Sequence, residues 1–240
     1  MNPVAVIAGA GEGLGFALAK RFARAGYGVA LAARNAERLE RLAEEIRKAG
    51  GRALAAPTDA RNEEEVIALF DQLEAEQGPV EVALFNAGAN YRASILETPA
   101  DMFRKVWRLG CFAGFLFGRE AARRMVPRGK GTILFTGATA SMRGSAHFAA
   151  FAAAKGALRQ VAQSMARELG PRNIHVAHVV IDGMIDNAAV RARFPERAKD
   201  MPPEGMLATD AIAEMFYQIH CQPRSAWTFE ADLRPWAEKF

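Results

Sequence analysis

Short apolar runs alternate with longer amphipathic segments along the chain. The runs fall at residues 4–7, 29–31, 53–55, 82–85, 132–136 and 176–181, with a weaker one at 227–229. The central runs are continuous rather than alternating, which is the pattern of strands covered on both faces. Between them, Leu39, Leu42 and Ile46 share one helical face and stop at Gly50-Gly51. Asn62 followed by Glu65 reads as a capping box opening a helix with Val66, Leu69 and Leu73. Leu158, Val161, Met165 and Leu169 form a further stripe, ended by Gly170-Pro171. Such strand–helix alternation predicts right-handed crossovers and an α/β fold, a three-layer, doubly wound parallel sheet in a single domain. The stretch 182–209 carries three prolines and many charges and predicts an irregular loop. A loop that long inside a compact domain is more often a substrate lid than a linker.

Composition narrows the class. The 240 residues are 50% hydrophobic and 24% charged, the balance of an ordinary globular protein with one sizeable core. Lys plus Arg is 31 against 27 Asp plus Glu, a net charge of +4 spread along the chain. The resulting pI of about 9.3 is weak ground for nucleic-acid binding, and none is expected. Two cysteines, Cys111 and Cys221, cannot build a disulfide framework and suggest a reducing compartment. No apolar run approaches the roughly 18 residues of a spanning helix, so no membrane partner is expected. Met1-Asn2-Pro3 runs directly into the first strand without the layout of a secretory signal, and a cytoplasmic location is the expectation.

The first strand ends in Gly9-Ala10-Gly11-Glu12-Gly13-Leu14-Gly15, followed by a helix with Phe16, Leu18 and Phe22. Glycines there let backbone approach a pyrophosphate, and the helix N-terminus offers it free N–H groups and a positive dipole end. Any tight strand-to-helix turn accepts glycines, but placement after the first strand, with a second strand soon after, favours a Rossmann nucleotide site. The second strand ends at Ala33-Arg34, where an acid would hold an NAD ribose. A guanidinium there favours a 2′-phosphate, hence NADP(H) over NAD(H). Arg34 as a solvated helix-start residue is the plain alternative, and the Glu12 carboxylate, if near that phosphate, argues the other way.

On these residues the chain resembles the short-chain dehydrogenase/reductase family over nearly its whole length. The glycine turn is similar to the family's T-G-x-x-x-G-x-G, with Ala8 for Thr and with Gly9, Gly13 and Gly15 matching. Asp59 falls where the family's Asp contacts adenine. Asn86-Ala87-Gly88 matches the N-A-G after the fourth strand, with Phe85 where a second Asn is usual. Asp182-Gly183-Met184-Ile185-Asp186-Asn187 falls on the P-G-x-x-x-T, with Asp182 for Pro and Asn187 for Thr. An Asn side chain can still hydrogen-bond a nicotinamide carboxamide. The resemblance further implies a homodimer or homotetramer built on the helices around 110–125 and 151–169.

The family's chemistry rests on an Asn-Ser-Tyr-Lys set, and here the resemblance thins. By spacing, Tyr-x-x-x-Lys falls on Phe151-Ala152-Ala153-Ala154-Lys155, Ser on Ala138 and Asn on Gly110. Lys155 alone retains its type, and phenylalanine transfers no proton. A positioned general acid or base contributes about 10²–10⁴-fold, so ordinary carbonyl reduction needs another donor. Thr139 and Ser141 flank the missing serine; small polar residues after a buried strand are otherwise loop residues. His147 has a suitable pKa range, against the plain reading of a surface or packed histidine. Tyr91 lies just past Asn86-Ala87-Gly88, where wall packing is the alternative. His175 and His178 read as satisfied core residues, and no cluster has metal-ligand spacing.

Arg119, Arg123, Arg124, Arg128 and Lys130 end a long helix, where its dipole suffices to explain them. Arg191, Arg193, Arg197 and Lys199 lie on the expected lid, solvated by default or reading an anionic substrate. Two functions compete. One is an NADP(H)-linked oxidoreductase with a displaced proton donor, acting on a small carbonyl, alcohol or activated alkene. The other is an impaired pseudoenzyme that binds NAD(P)(H) in a structural or regulatory role. The C-terminal aromatics from Trp227 to Trp236 are expected to pack on the sheet edge or a neighbouring subunit.

Overall fold

The computed structural model describes residues 2–239. In chain order the strands and helices are β1 (Val4–Ala8), α1 (Leu14–Arg24), β2 (Gly28–Ala33), α2 (Ala36–Lys48), β3 (Arg52–Pro57), α3 (Glu63–Gln72), β4 (Val80–Phe85) and α4 (Ala100–Trp107). A π-helical turn, Arg108–Phe112, joins α4 to α5 (Ala113–Met125). Then follow β5 (Gly131–Thr136), α6 (Thr139–Met142), α7 (Ala149–Leu169), β6 (Ile174–Ile181), β7 (Ile185–Asp186), α8 (Ala188–Arg193), α9 (Pro195–Lys199), β8 (Leu207–Ala208), α10 (Thr209–His220) and β9 (Glu230–Leu233).

Seven strands form one parallel sheet in the order β3-β2-β1-β4-β5-β6-β9. Its apolar side chains split by parity between two faces. Ile7, Leu31, Val82 and Leu84 pack under α1, α2 and α10. Val6, Ala83, Phe85, Ile133 and Phe135 pack under α3, α5 and α7. Phe85, where the resemblance expects a second Asn, is fully buried against Phe117 and Phe135, with ring centroids 5.9 and 6.3 Å away. Burying one such ring stabilises by about 1.5–3 kcal/mol, so this position serves the core. Chain order reverses between β1 and β4, and the crevice outside the carboxyl ends of those strands is where such sheets bind ligands.

Three expectations need correction. The last strand is residues 230–233, not 227–229. The Gln222 amide captures the Thr228 N–H and hydroxyl, and the Trp227 ring lies flat on His175 at 4.7 Å, so the ladder begins at Glu230 opposite His178. The stretch 182–209 is not irregular: β7 pairs with β8, and α8 and α9 lie between them. Asn187 caps α8 and Pro195 starts α9, local signals hidden among the charges. His175 and His178 are buried but only half satisfied. His175 Nε2 bonds the Thr228 carbonyl and His178 Nδ1 the Glu230 carboxylate, while among the described residues His175 Nδ1 and His178 Nε2 have no partner.

Candidate active site

Gly9 ends β1 at φ +83°, a conformation that excludes most side chains, and a Cβ there would lie 2.6 Å from Ala87 N. This close approach joins the two strands at the reversal: Asn86 N–H donates to the Ala8 carbonyl and its side-chain amide to the Gly9 carbonyl. A Cβ on Gly15 would meet the Gly9 carbonyl at 2.5 Å, so α1 can start this near β1 only with glycine there. Gly11 faces open space. Asn35 and Asn62 cap α2 and α3, but α1 has no side-chain cap and no acid in its first turn. Its leading N–H groups are therefore available to an anion. Beside Leu14, the Asn187 amide nitrogen lies 3.2 Å from where a Gly13 Cβ would stand. The Asn187 Oδ1 is spent on the Val190 N–H, which leaves its NH₂ directed at the turn. A glycine cradle with an uncapped helix end fits a dinucleotide pyrophosphate.

At the far end of the crevice, Arg34 is exposed after β2. Asp59 is gripped by the Arg61 guanidinium at 2.5–3.1 Å, which, with help from the Arg34 charge, holds its carboxyl down at about 2. The predicted capping box is modified here. Asn62 Oδ1 accepts the Glu64 and Glu65 N–H groups, but Glu65 returns its carboxylate to the Asp59 N–H as well as to the Asn62 amide, so the cap of α3 also positions Asp59. Glu12 is ion-paired with Arg41 of α2, which offsets its charge at this end.

At the near end, Lys155 of α7 is buried and donates to the Thr136 carbonyl at 2.7 Å, and a Cβ on Gly88 would touch its Nζ at 3.4 Å. Burial lowers this ammonium to about 8. Ala87 lies in the close contact with Gly9 already described. Phe151 is half-buried one turn before Lys155. Gly110 lies in the π-helical turn, where a Cβ would meet Ala154 Cβ at 2.9 Å. An asparagine has no room at that helix crossing.

The four replacement candidates separate clearly. Thr139 Oγ1 donates to Asp182 Oδ1 at 2.5 Å. Ser141 accepts the Ala138 N–H with its hydroxyl at the start of α6. His147 is exposed at φ +69°, its carbonyl accepting from Ala93 N–H. Tyr91 packs on Val106, Ala150 and Ala154. Asp182 is 3% exposed, and its second oxygen is bound by Arg234 at 2.6 and 3.1 Å. Gly183 at φ +150° lets Pro235 of the tail close over this point, and Ile185 follows in β7. Sequence reasoning noticed Asp182 only as a substitute for proline, because its partner Arg234 is 52 residues away.

The charged runs are absorbed by pairing. Arg119 and Arg124 reach Glu63 and Asp71 of α3, Arg128 reaches Glu74, Lys130 reaches Glu81, and Arg123 pairs with buried Glu120. On 182–209, Arg191 is spent on Asp186 and Arg193 on the Asn90 carbonyl, while Arg197 and Lys199 are exposed.

A parallel sheet that reverses at a glycine turn, beside an uncapped helix and a buried lysine, defines the Rossmann class of nucleotide-binding domain. A sequence model of the short chain dehydrogenase family matches residues 3–198, and the chain belongs to that family. A short-chain dehydrogenase from Rhodopseudomonas palustris is 48% identical, covering 98% of this chain and 100% of its own, with TM-score 0.85. The 7alpha-hydroxysteroid dehydrogenase of Escherichia coli K12 is 29% identical over 93% of this chain and 88% of its own. An alcohol dehydrogenase from Thermococcus sibiricus, solved with 5-hydroxy-NADP, is 25% identical with TM-score 0.86 over 99% of this chain and 98% of its own. No described helix is long and apolar enough to cross a membrane.

Proposed function

We propose that this protein is an NADP(H)-linked oxidoreductase of a small carbonyl, alcohol or activated alkene, in which the proton moves through a group other than residue 151. The carrying observation is Lys155, a buried ammonium set against Gly88 at the end of an intact glycine cradle. Gly9, Gly11, Glu12, Gly13, Leu14 and Gly15 form the turn that takes the pyrophosphate. Arg34 reads the 2′-phosphate, Asp59 the adenine, and Asn86, Ala87 and Gly88 line the floor. Gly183, Ile185 and Asn187 meet the nicotinamide amide, and Lys155 holds the nicotinamide ribose. When bound, the dinucleotide supplies reversible two-electron transfer at its nicotinamide ring. The chain's part is to fix the reacting carbon, exclude water and move one proton at the substrate oxygen.

Several features support this reading. Glu12 is occupied by Arg41 and so opposes a phosphate less than its sequence position suggests. The Thermococcus sibiricus alcohol dehydrogenase, solved with 5-hydroxy-NADP, supports this choice of cofactor. Residues 182–209 act as the lid, latched by the Arg193 contact to Asn90. The protein is taken as a cytoplasmic homodimer or homotetramer.

Titration of NADPH fluorescence, then a turnover screen over carbonyls, enones and secondary alcohols, tests the proposal. Binding with turnover is expected. Binding without turnover would favour the structural or regulatory role, and no binding would overturn the site. Because Lys155 titrates near 8, NADPH affinity is expected to weaken as pH rises through that value.

A further inference from the structure

We infer that Asp182, through the Thr139 hydroxyl, forms the proton relay that replaces the missing tyrosine. The inference rests on the oxidoreductase reading above. Its evidence is a continuous chain of contacts at the carboxyl edge of the sheet. Thr139 opens α6, immediately after the Ala138 position that the family's serine would occupy. Its half-buried side chain donates to Asp182 Oδ1, and Asp182 Oδ2 is held by two guanidinium nitrogens of Arg234. Arg234 is itself anchored by Asp232 at the end of β9. Lys155 of α7, also at this edge, is committed to the Thr136 carbonyl.

A carboxylate buried this deeply is tolerated because both its oxygens are engaged. The arrangement has a chemical consequence. With its own proton directed at Asp182, Thr139 Oγ1 keeps lone pairs free to accept a further hydrogen bond. The resting site therefore suits a substrate that donates, which is an alcohol rather than a ketone.

The steps balance as follows. The alcohol carbon releases its hydrogen with both bonding electrons to an oxidised pyridine dinucleotide. The alcohol O–H proton passes to Thr139 Oγ1 while Thr139 passes its own proton to Asp182 Oδ1, and the carbon–oxygen double bond forms. The products are the carbonyl compound, the reduced dinucleotide and a neutral Asp182, which returns its proton to water when the site opens. Reduction runs the same path in reverse and must begin with Asp182 protonated. Thr139 is the catalytic group in this scheme, and Asp182 acts through it as the positioning and proton-storing residue.

Asp182→Asn keeps the size and the contact to Thr139 but cannot accept the proton. Thr139→Val removes the hydroxyl at constant shape, and Thr139→Ser restores it. With NADP⁺ and a secondary alcohol found in the screen, Asp182→Asn and Thr139→Val are each expected to lower kcat about 10²-fold or more. Thr139→Ser is expected to stay within a few-fold of the parent. The double variant should be no worse than either single one, because the two act in series. NADPH affinity should hold within about threefold in all of them, which separates this claim from the cofactor site.

An independent reading needs neither substrate nor cofactor. In Thr139→Cys, the new thiol, followed by thiolate absorbance against the parent protein, should titrate about one unit higher than in Thr139→Cys/Asp182→Asn, since a facing carboxylate opposes thiolate formation. Equal thiol titration in the two, or an Asp182→Asn enzyme with parental kcat, overturns the relay while leaving the oxidoreductase reading intact. Bound NADPH with no turnover on any alcohol or carbonyl overturns both.

Discussion

The two ends of one crevice solve their problems with different materials. The end proposed to take the pyrophosphate is built from backbone: Gly9 against Ala87, Gly15 against the Gly9 carbonyl, and an uncapped α1. The end proposed for proton transfer is built from side chains, and there Gly110, Ala138 and Phe151 fall where the sequence resemblance expects Asn, Ser and Tyr. Backbone devices have no substitute, because only glycine tolerates those approaches. A proton needs only some exchangeable group within reach, so its carrier can move to a neighbouring position. On the proposed reading, a cofactor site and a catalytic set in one crevice are separable.

The largest expected effect tests whether the two ends meet at Lys155. Lys155→Met should cut turnover about 10³-fold and also weaken NADPH binding, measured by steady-state kinetics and fluorescence titration. A loss confined to kcat would sever the ends. Next, Phe151→Tyr with Ala138→Ser should raise carbonyl reduction about tenfold or more if only the side chains differ at the proton end. No gain would mean that the pocket, closed by the Gly110–Ala154 contact, differs as well.

Acid should also distinguish the ends. His178, behind Lys155, is pushed down to about 4 by burial despite Glu230. Between about pH 6.5 and 4 the unfolded chain binds a proton there that the folded chain does not, so stability falls with falling pH by roughly 1 kcal/mol per unit. His178→Gln should flatten that part of a denaturant-midpoint series. Asp59 is shifted downward instead, to about 2. Its contribution is full above the ordinary aspartate value near 4 and is lost as pH falls from there toward 2. Asp59→Asn should leave the His178 window unchanged. The smallest effect is at Arg34: Arg34→Asp should shift the NADPH-to-NADH affinity ratio about tenfold toward NADH. An unchanged ratio would place the 2′-phosphate elsewhere.

Periodicity and local chemistry alone determined the six central strands, the helices α1, α2, α3, α5 and α7 and the glycine turn. These depend on contacts near in sequence or on the parity of side chains facing two covering layers. The same locality put Phe151 one helical turn before Lys155, where the resemblance expects a tyrosine. What sequence could not show was the meeting of distant segments. The Thr139–Asp182–Arg234 chain joins the ends of β5, β6 and β9, and the Gly110–Ala154 crossing joins the π-helical turn to α7. The start of β9 at Glu230 likewise waited on Gln222 capturing Thr228. Register, close helix contact and a buried ion pair depend on how the sheet closes in space, and no pattern in neighbouring residues records that.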